Sequence, residues 1–448
     1  MRALARLGLV LCLAVPALAQ GAPALTTKDL AGSVQSARLS RTVDRLASFG
    51  TRHTLSDPLS ERRGIGAAQR WLGHEFQALT RVSGSRLLAF EDRFPAGPGA
   101  SLSRQVELVN MGVLLPGIDP ARRKQALVVV AHYDSRAFDA MDASADAPGA
   151  VDNASGVALV LEMANVLAAQ QPAISIYFVA TAAGEQGLLG SARLLQRLKG
   201  EGTDIVGMVA ADCVGNSQVP GGGKSNGALR LFSDTWPVQE TEGQRRVREL
   251  LGTGNDGPSR ELARYLKRSG ERHVEGLECQ VMLRRDRIGR SGEQGVFVRE
   301  GIPGVRVTEQ ADAYDRQRQN VRSEVGHAYG DTAAFFDSGY CAKITRMMVA
   351  GFYHLALAPD APQNVGLGGC GSSDARLWWN LSDDPRIKGV VIYRRRGDQV
   401  QWQQTRVLPR QENLVLPGVD PDNELFAVAT VDDQGNESLP VAPMSVEF

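Results

Sequence analysis

The sequence has no net charge. Its fifty Lys and Arg residues are matched by fifty Asp and Glu, so the overall balance gives no reason to expect nucleic acid or an anionic membrane as a partner. Long apolar runs are missing too. The strongest, Leu7 to Val15, is too short to span a bilayer, and no other segment is expected to cross one. Cysteine is sparse: Cys12 lies in that N-terminal run, and Cys213, Cys279, Cys341 and Cys370 have no zinc-finger spacing. Those four allow three disulfide pairings, with buried thiols at least as good an expectation. His53 and His74 have no carboxylate neighbours at ligand spacing.

What is present suits a soluble globular protein of two or three domains. The chain has 448 residues, 43% hydrophobic and 22% charged. Residues 1–19 have the form of an export signal: Arg2 and Arg6, the apolar run, then Ala17-Leu18-Ala19 as a cleavage site. Leu11 before Cys12 is not the small residue a lipid anchor needs. The expected location is periplasmic or secreted.

The stretch from Leu127 to Ser191 organises the rest. Leu127–Ala131 and Ile174–Ala180 have the length and branched content of buried parallel strands. Between them Val157, Val160, Leu161, Ala164, Leu167 and Ala168 mark one side of a helix. Strand, helix and strand make a right-handed crossover in a doubly wound α/β sheet, whose ligands gather beyond the carboxyl ends of the strands. His132 and Asp134 fall there, with Asp152 before the helix and Glu185 after the second strand. Ile205–Ala211 is a further strand, and Asp212 stands at its end.

Around this core, helices are expected over residues 39–49 and 65–79, a strand over Val106–Leu115, and a helix over 187–198. Residues 243–271 read as one helical stretch, 279–283 and 305–308 as strands, and 331–357 as a long closing helix. Gly223-Lys224-Ser225 is not a phosphate loop, because position 218 is Gln where that motif needs glycine. Residues 360–448 carry short strand runs between turn clusters, as in a small all-β sandwich. Phe426–Ser438 is similar to the last strands of a fibronectin type III module. The prolines at 359 and 362 read as a linker, so residues 20–358 are expected to fold without the module.

One histidine and several carboxylates on one sheet edge propose a metal site. Two zinc ions about 3.5–4 Å apart can clamp a peptide carbonyl and a bridging hydroxide. In residue type and order, His132-x-Asp134, Asp152, Glu185 and Asp212 resemble the co-catalytic zinc aminopeptidase family over roughly residues 40–357. The resemblance implies an α/β zinc exopeptidase fold that removes N-terminal residues from peptides or proteins. It makes His132, Asp152, Glu185 and Asp212 the ligands of one or two zinc ions. Asp152 bridges, Asp134 orients His132, and Asp212 completes the His132 site.

The chain departs from that family in the site itself. A second histidine ligand is supplied either by His327, in His327-x-x-x-Asp331-Thr332, or by a position that here is Arg318. A guanidinium stays protonated and cannot ligate zinc. The family's Glu-Glu-x-Gly-Leu reads Gly184-Glu185-Gln186-Gly187-Leu188. The alignment without a gap, which keeps Gly187-Leu188 and Gly190-Ser191 in register, is preferred and puts Gly184 at the general-base position. The alternative, a one-residue slip, makes Glu185 the base and Gln186 a poor neutral ligand. Gln294 stands where a further histidine is expected. A catalytically inactive binding or regulatory protein on the same fold is therefore the alternative to an active peptidase.

Overall fold

The structure is a computed structural model describing residues 26–84, 86–99, 101–219, 222–235 and 239–447. The export signal expected at residues 1–19 lies outside them. Helices α1 (Thr27–Gly32), α2 (Ser36–Ala47) and α3 (Gly64–Val82) lead into β1 (Leu88–Ala96), β2 (Val106–Leu115) and β3 (Gln125–His132). Then come α4 (Gly156–Leu167), β4 (Ser175–Thr181), α5 (Leu189–Gly200) and β5 (Asp204–Ala211). A short hairpin, β6 (Gln218–Val219) and β7 (Gly223–Lys224), precedes β8 (Ala228–Ser233).

The sheet order is β1-β2-β4-β3-β5-β10-β8-β9, where β9 is Glu278–Met282 and β10 is Gly304–Glu309. Strands β4, β3, β5 and β10 run parallel, while β2 joins β4 and β8 joins β10 antiparallel. The sheet is therefore mixed, with its parallel strands central. Alternation explains the burial of β3 on both faces. Leu127, Val129 and Ala131 share a core with Val157, Val160 and Ala164 of α4. Val128 and Val130 pack on the other side with Leu194, Leu195 and Leu198 of α5. Each such side chain taken from water contributes ~1.5–3 kcal/mol, which fixes this strand in the middle. Residues Ala150–Leu167 are long and apolar enough to cross a membrane, but 89% of that window is buried inside the fold, as expected of a core helix.

Two expected helices differ. The stretch 243–271 is two helices, α6 (Glu242–Leu250) and α7 (Pro258–His273). Gly252 turns left-handed (φ 66°) just past α6, and Pro258 opens α7 at the position where a missing N–H costs nothing. After α8 (Gln294–Val298), a ribbon of β11 (Arg322–Glu324) and β12 (His327–Tyr329) precedes α9. Helix α9 spans Ser338–Leu357 rather than starting at Asp331, because Asp337 caps it by accepting the Tyr340 N–H at 2.9 Å.

Residues beyond 360 form two sheets. Strands β13 (Gln363–Gly368), β14 (Ala375–Asn380), β17 (Asn413–Leu416) and β19 (Ser445–Glu447) pair in one. Strands β15 (Gly389–Arg396), β16 (Gln404–Pro409) and β18 (Glu424–Val431) make the other. Val365, Leu377, Trp379, Val390, Ile392 and Phe426 fill the space between them. This unit is joined to the α/β unit by buried charge. Arg395 Nη2 reaches both Asp256 oxygens at 2.7 Å, Arg264 Nη1 shares Asp256 at 2.8 Å, and Trp402 Nε1 donates to Glu261 at 2.8 Å. All four described cysteines are free thiols, with Cys213, Cys279 and Cys341 buried and Cys370 exposed.

Candidate metal centre

The centre lies at the carboxyl edge of β3, β4 and β5, where side chains turn from the packed sheet into loops. His132 is the last residue of β3. Asp134, fully buried, accepts the N–H groups of Gly184 and Glu185 at 2.8 and 2.9 Å. It thereby ties the loop after β4 to the end of β3. The His132 Nδ1 lies 3.1 Å from the Asp134 carbonyl and 3.6 Å from its carboxylate. Both are acceptors, so they hold a proton on Nδ1 and turn Nε2 toward the remaining acids. Burial opposes a charged imidazole, but Asp134, Asp212 and Asp152 outweigh it and raise its pKa in the absence of metal.

The Nε2 atom faces two carboxylates. His132 Nε2 is 3.5 Å from Asp152 and 3.9 Å from Asp212. Among the described residues, the three ligand atoms lie within 4.8 Å of one another. Asp152 sits in the irregular turn Ala150–Ser155 that leads into α4, with φ −104° and ψ 89°. Asp212 follows β5 directly. One imidazole and two carboxylates form a donor set that fits zinc.

Residues 113–225 match the Peptidase family M28. Nearly the whole chain is similar to a probable zinc metalloprotease of Leptosphaeria maculans, 31% identical over 427 residues, with 95% of this chain and 98% of that one covered. The chain belongs to the M28 peptidase family. Zinc is its metal, and the donor set fits it. A probable zinc metalloprotease of Pyricularia oryzae is 34% identical over 424 residues, covering 92% of this chain and 83% of the other. In fold, the chain is similar to the LapA aminopeptidase of Legionella pneumophila, with a TM-score of 0.52, 17% identity and 75% of each chain covered. It is also similar to the aminopeptidase of Aneurinibacillus sp. strain AM-1, with a TM-score of 0.51, 12% identity, and 75% of this chain and 97% of the other covered.

The structure of this M28 chain brings His132, Asp152 and Asp212 together, with Asp134 behind His132. It puts Glu185 on a different partner. Arg318 donates from Nε to one Glu185 oxygen at 3.0 Å, and its Nη2 is 3.0 Å from the other. The same Nε is 3.8 Å from Asp152. His327 does not join the group: it is exposed on the β11–β12 ribbon and faces Asp315 at 3.2 Å. Gln294 is buried and bonds the Arg285 carbonyl at 3.1 Å. Its neighbour Glu293, also buried, is bound by the hydroxyls of Thr181 and Ser191.

Electrostatics follow from this crowding. Burial, then the negative charge of Glu185 and Asp212, pushes the Asp152 carboxyl up to about 6 in the absence of metal. Burial also works against ionised Asp212, but Arg306, His132 and Arg287 outweigh it and hold that carboxyl below its usual range. A divalent cation relieves the repulsion at Asp152, since it favours the ionised form of every ligand around it.

Two contributors are not evident from the motifs. Arg306, fully buried, reaches Asp212 at 3.1 Å and Asp286 at 2.8 Å. Its signal was available: a lone arginine inside the apolar strand Gly304–Glu309 needs a buried acid. Asp331 accepts the N–H groups of Val151 at 2.9 Å and Asp152 at 2.6 Å, and so fixes the turn that presents Asp152. Helical periodicity hid this role, because Asp331 also reads as the first residue of α9.

Proposed function

We propose that the chain is an exported zinc-dependent aminopeptidase that hydrolyses N-terminal peptide bonds. The observation that carries this is the His132–Asp152–Asp212 cluster at the carboxyl edge of the sheet. Zinc held by His132, Asp152 and Asp212 would supply Lewis acidity, polarising the scissile carbonyl and lowering the pKa of water so that hydroxide is available near neutral pH. The chain's own residues do the rest. Asp134 keeps the imidazole in the tautomer that offers Nε2, and Asp331 holds the Asp152 turn. Glu185, the acid of the loop after β4, adjoins the cluster as the candidate base and is paired with Arg318. Free N-termini are the substrate class implied by the aminopeptidase likeness, and export by the sequence of residues 1–19. The C-terminal sandwich is proposed to be a fibronectin type III-like module, supported by its seven strands in two sheets.

One observation favours a second reading, a peptidase fold that binds without turnover. Both Glu185 oxygens are engaged by Arg318, and removing a general base typically costs about 10²–10⁴ in rate. Zinc analysis of the purified chain together with a panel of aminoacyl amides separates the two. Bound zinc with turnover supports the peptidase. Absence of turnover on every amide, with or without bound zinc, supports the binding protein.

A further inference from the structure

The neighbours of Glu185 bear on how many ions the centre takes. Its carboxylate is 2% exposed, and both oxygens face one guanidinium in a forked pair at 3.0 Å. Such parallel N–H···O pairs are the strongest geometry an arginine and a carboxylate can adopt. Asp152, the acid that a second ion would share, has its outer oxygen 3.8 Å from the same Nε. The guanidinium thus stands between the two carboxylates that a second dication would have to join.

The backbone is committed to this placement. Arg318 has φ 59°, a left-handed conformation that non-glycine residues adopt at a cost. No imidazole competes for the position. Among the described residues, His53 bonds the Ala140 carbonyl, His74 lies on α3 in the cleft lined by Gln77 and Glu91, His273 and His354 face each other, and His327 faces Asp315. His132 is the one histidine in the cluster.

We propose that this centre holds a single divalent ion on His132, Asp152 and Asp212, and that the Arg318 guanidinium occupies the place of a second. The proposal rests on the zinc reading of the site. It assigns Glu185 to Arg318 rather than to a metal. Charge supports it: Glu185 is paired with Arg318 and Asp212 shares Arg306, so the carboxylates left around the centre suffice for one dication and not for two. A second dication would leave a protonated guanidinium beside it, and arginine does not lose its proton to make room.

The test is metal stoichiometry, read without reference to turnover. The metal-free full-length chain is titrated with Co²⁺ and followed by its visible absorption, and zinc content is measured after dialysis against Zn²⁺. The expected result is a break at one equivalent and one zinc per chain. Two equivalents in the wild-type chain would overturn the proposal and leave the zinc reading intact; no uptake would overturn both. Arg318→His replaces the cation with a ligand beside Asp152 and Glu185, and its break is expected to move to two equivalents. A folded Arg318→His chain that still stops at one would refute arginine as the cause. Should that variant not fold, the wild-type break alone decides between one ion and two.

Discussion

The α-hydrogen of Gly184 points at His132: a β-carbon built there would lie 2.4 Å from the His132 Cβ and 2.5 Å from its Cγ. Real Cβ contacts do not come that close. Position 184 therefore cannot carry a side chain while His132 keeps its place at the metal. This favours the slipped register, in which Glu185 is the acid of the loop, over the one that leaves a base missing at 184. Gly184→Ala and Gly184→Glu are expected to weaken zinc binding and to lower stability by about 1–3 kcal/mol, the usual cost of overpacking. Calorimetric zinc titration of the alanine variant checks this. A gain in peptidase rate with Gly184→Glu would contradict it.

Asp152→Asn removes an anionic ligand from whatever ion is bound, while Asp331 still holds the turn. Tight zinc binding is expected to be lost or nearly so. Equilibrium dialysis of the folded variant measures it, and unchanged affinity would remove Asp152 from the ligand set.

Arg306→Met leaves two acids, Asp212 and Asp286, without the cation they share. Breaking a buried pair from one side typically costs about 3–5 kcal/mol, and that loss is expected in urea unfolding of the metal-free protein. Adding Asp286→Asn is expected to return part of it. A loss below about 1 kcal/mol would show that water already reaches these groups.

The two units are expected to unfold together. Arg395→Met removes the Asp256 partner that crosses the interface, where Arg395 is 3% exposed and Asp256 fully buried, and leaves Arg264 on that acid. A loss of about 1–3 kcal/mol in one cooperative transition is the expected outcome. A chain ending near Ala358 also uncovers Leu251, which packs on the sandwich core, so it is expected to be less soluble than the full chain. If calorimetry gives two transitions, with Arg395→Met shifting only one, the units are independent.

His354 makes stability fall in acid. Burial, then His273 and Arg272, lowers its pKa from 6.5 to about 4. Between those values the unfolded chain binds a proton that the folded chain does not, so stability is lost as pH drops from about 6.5 toward about 4. His354→Leu should flatten this contribution. Urea midpoints at pH 7.5 and 5.0 for both proteins measure it, and an equal acid loss in the variant would assign the effect elsewhere.

The sequence by itself determined the strand–helix–strand core and the kind of chemistry at its edge. Buried parallel strands need continuous apolar runs, and the polar residues that interrupt them, His132 and Asp212, must fall where the strands end. The 243–271 stretch was only half legible: both halves have helical apolar spacing, but the break between them is carried by the turn residues Gly252-Thr253-Gly254-Asn255-Asp256-Gly257-Pro258 rather than by periodicity. Tertiary structure alone decided which partner each acid meets. Arg318 is 133 residues from Glu185, Arg306 is 94 from Asp212, and Arg395 is 139 from Asp256. Periodicity reports what a segment buries, not which distant loop supplies the opposite charge. Arg318 rather than His327 enters the centre because the loop before β11 turns inward at a left-handed residue, while the ribbon after it carries His327 out to solvent.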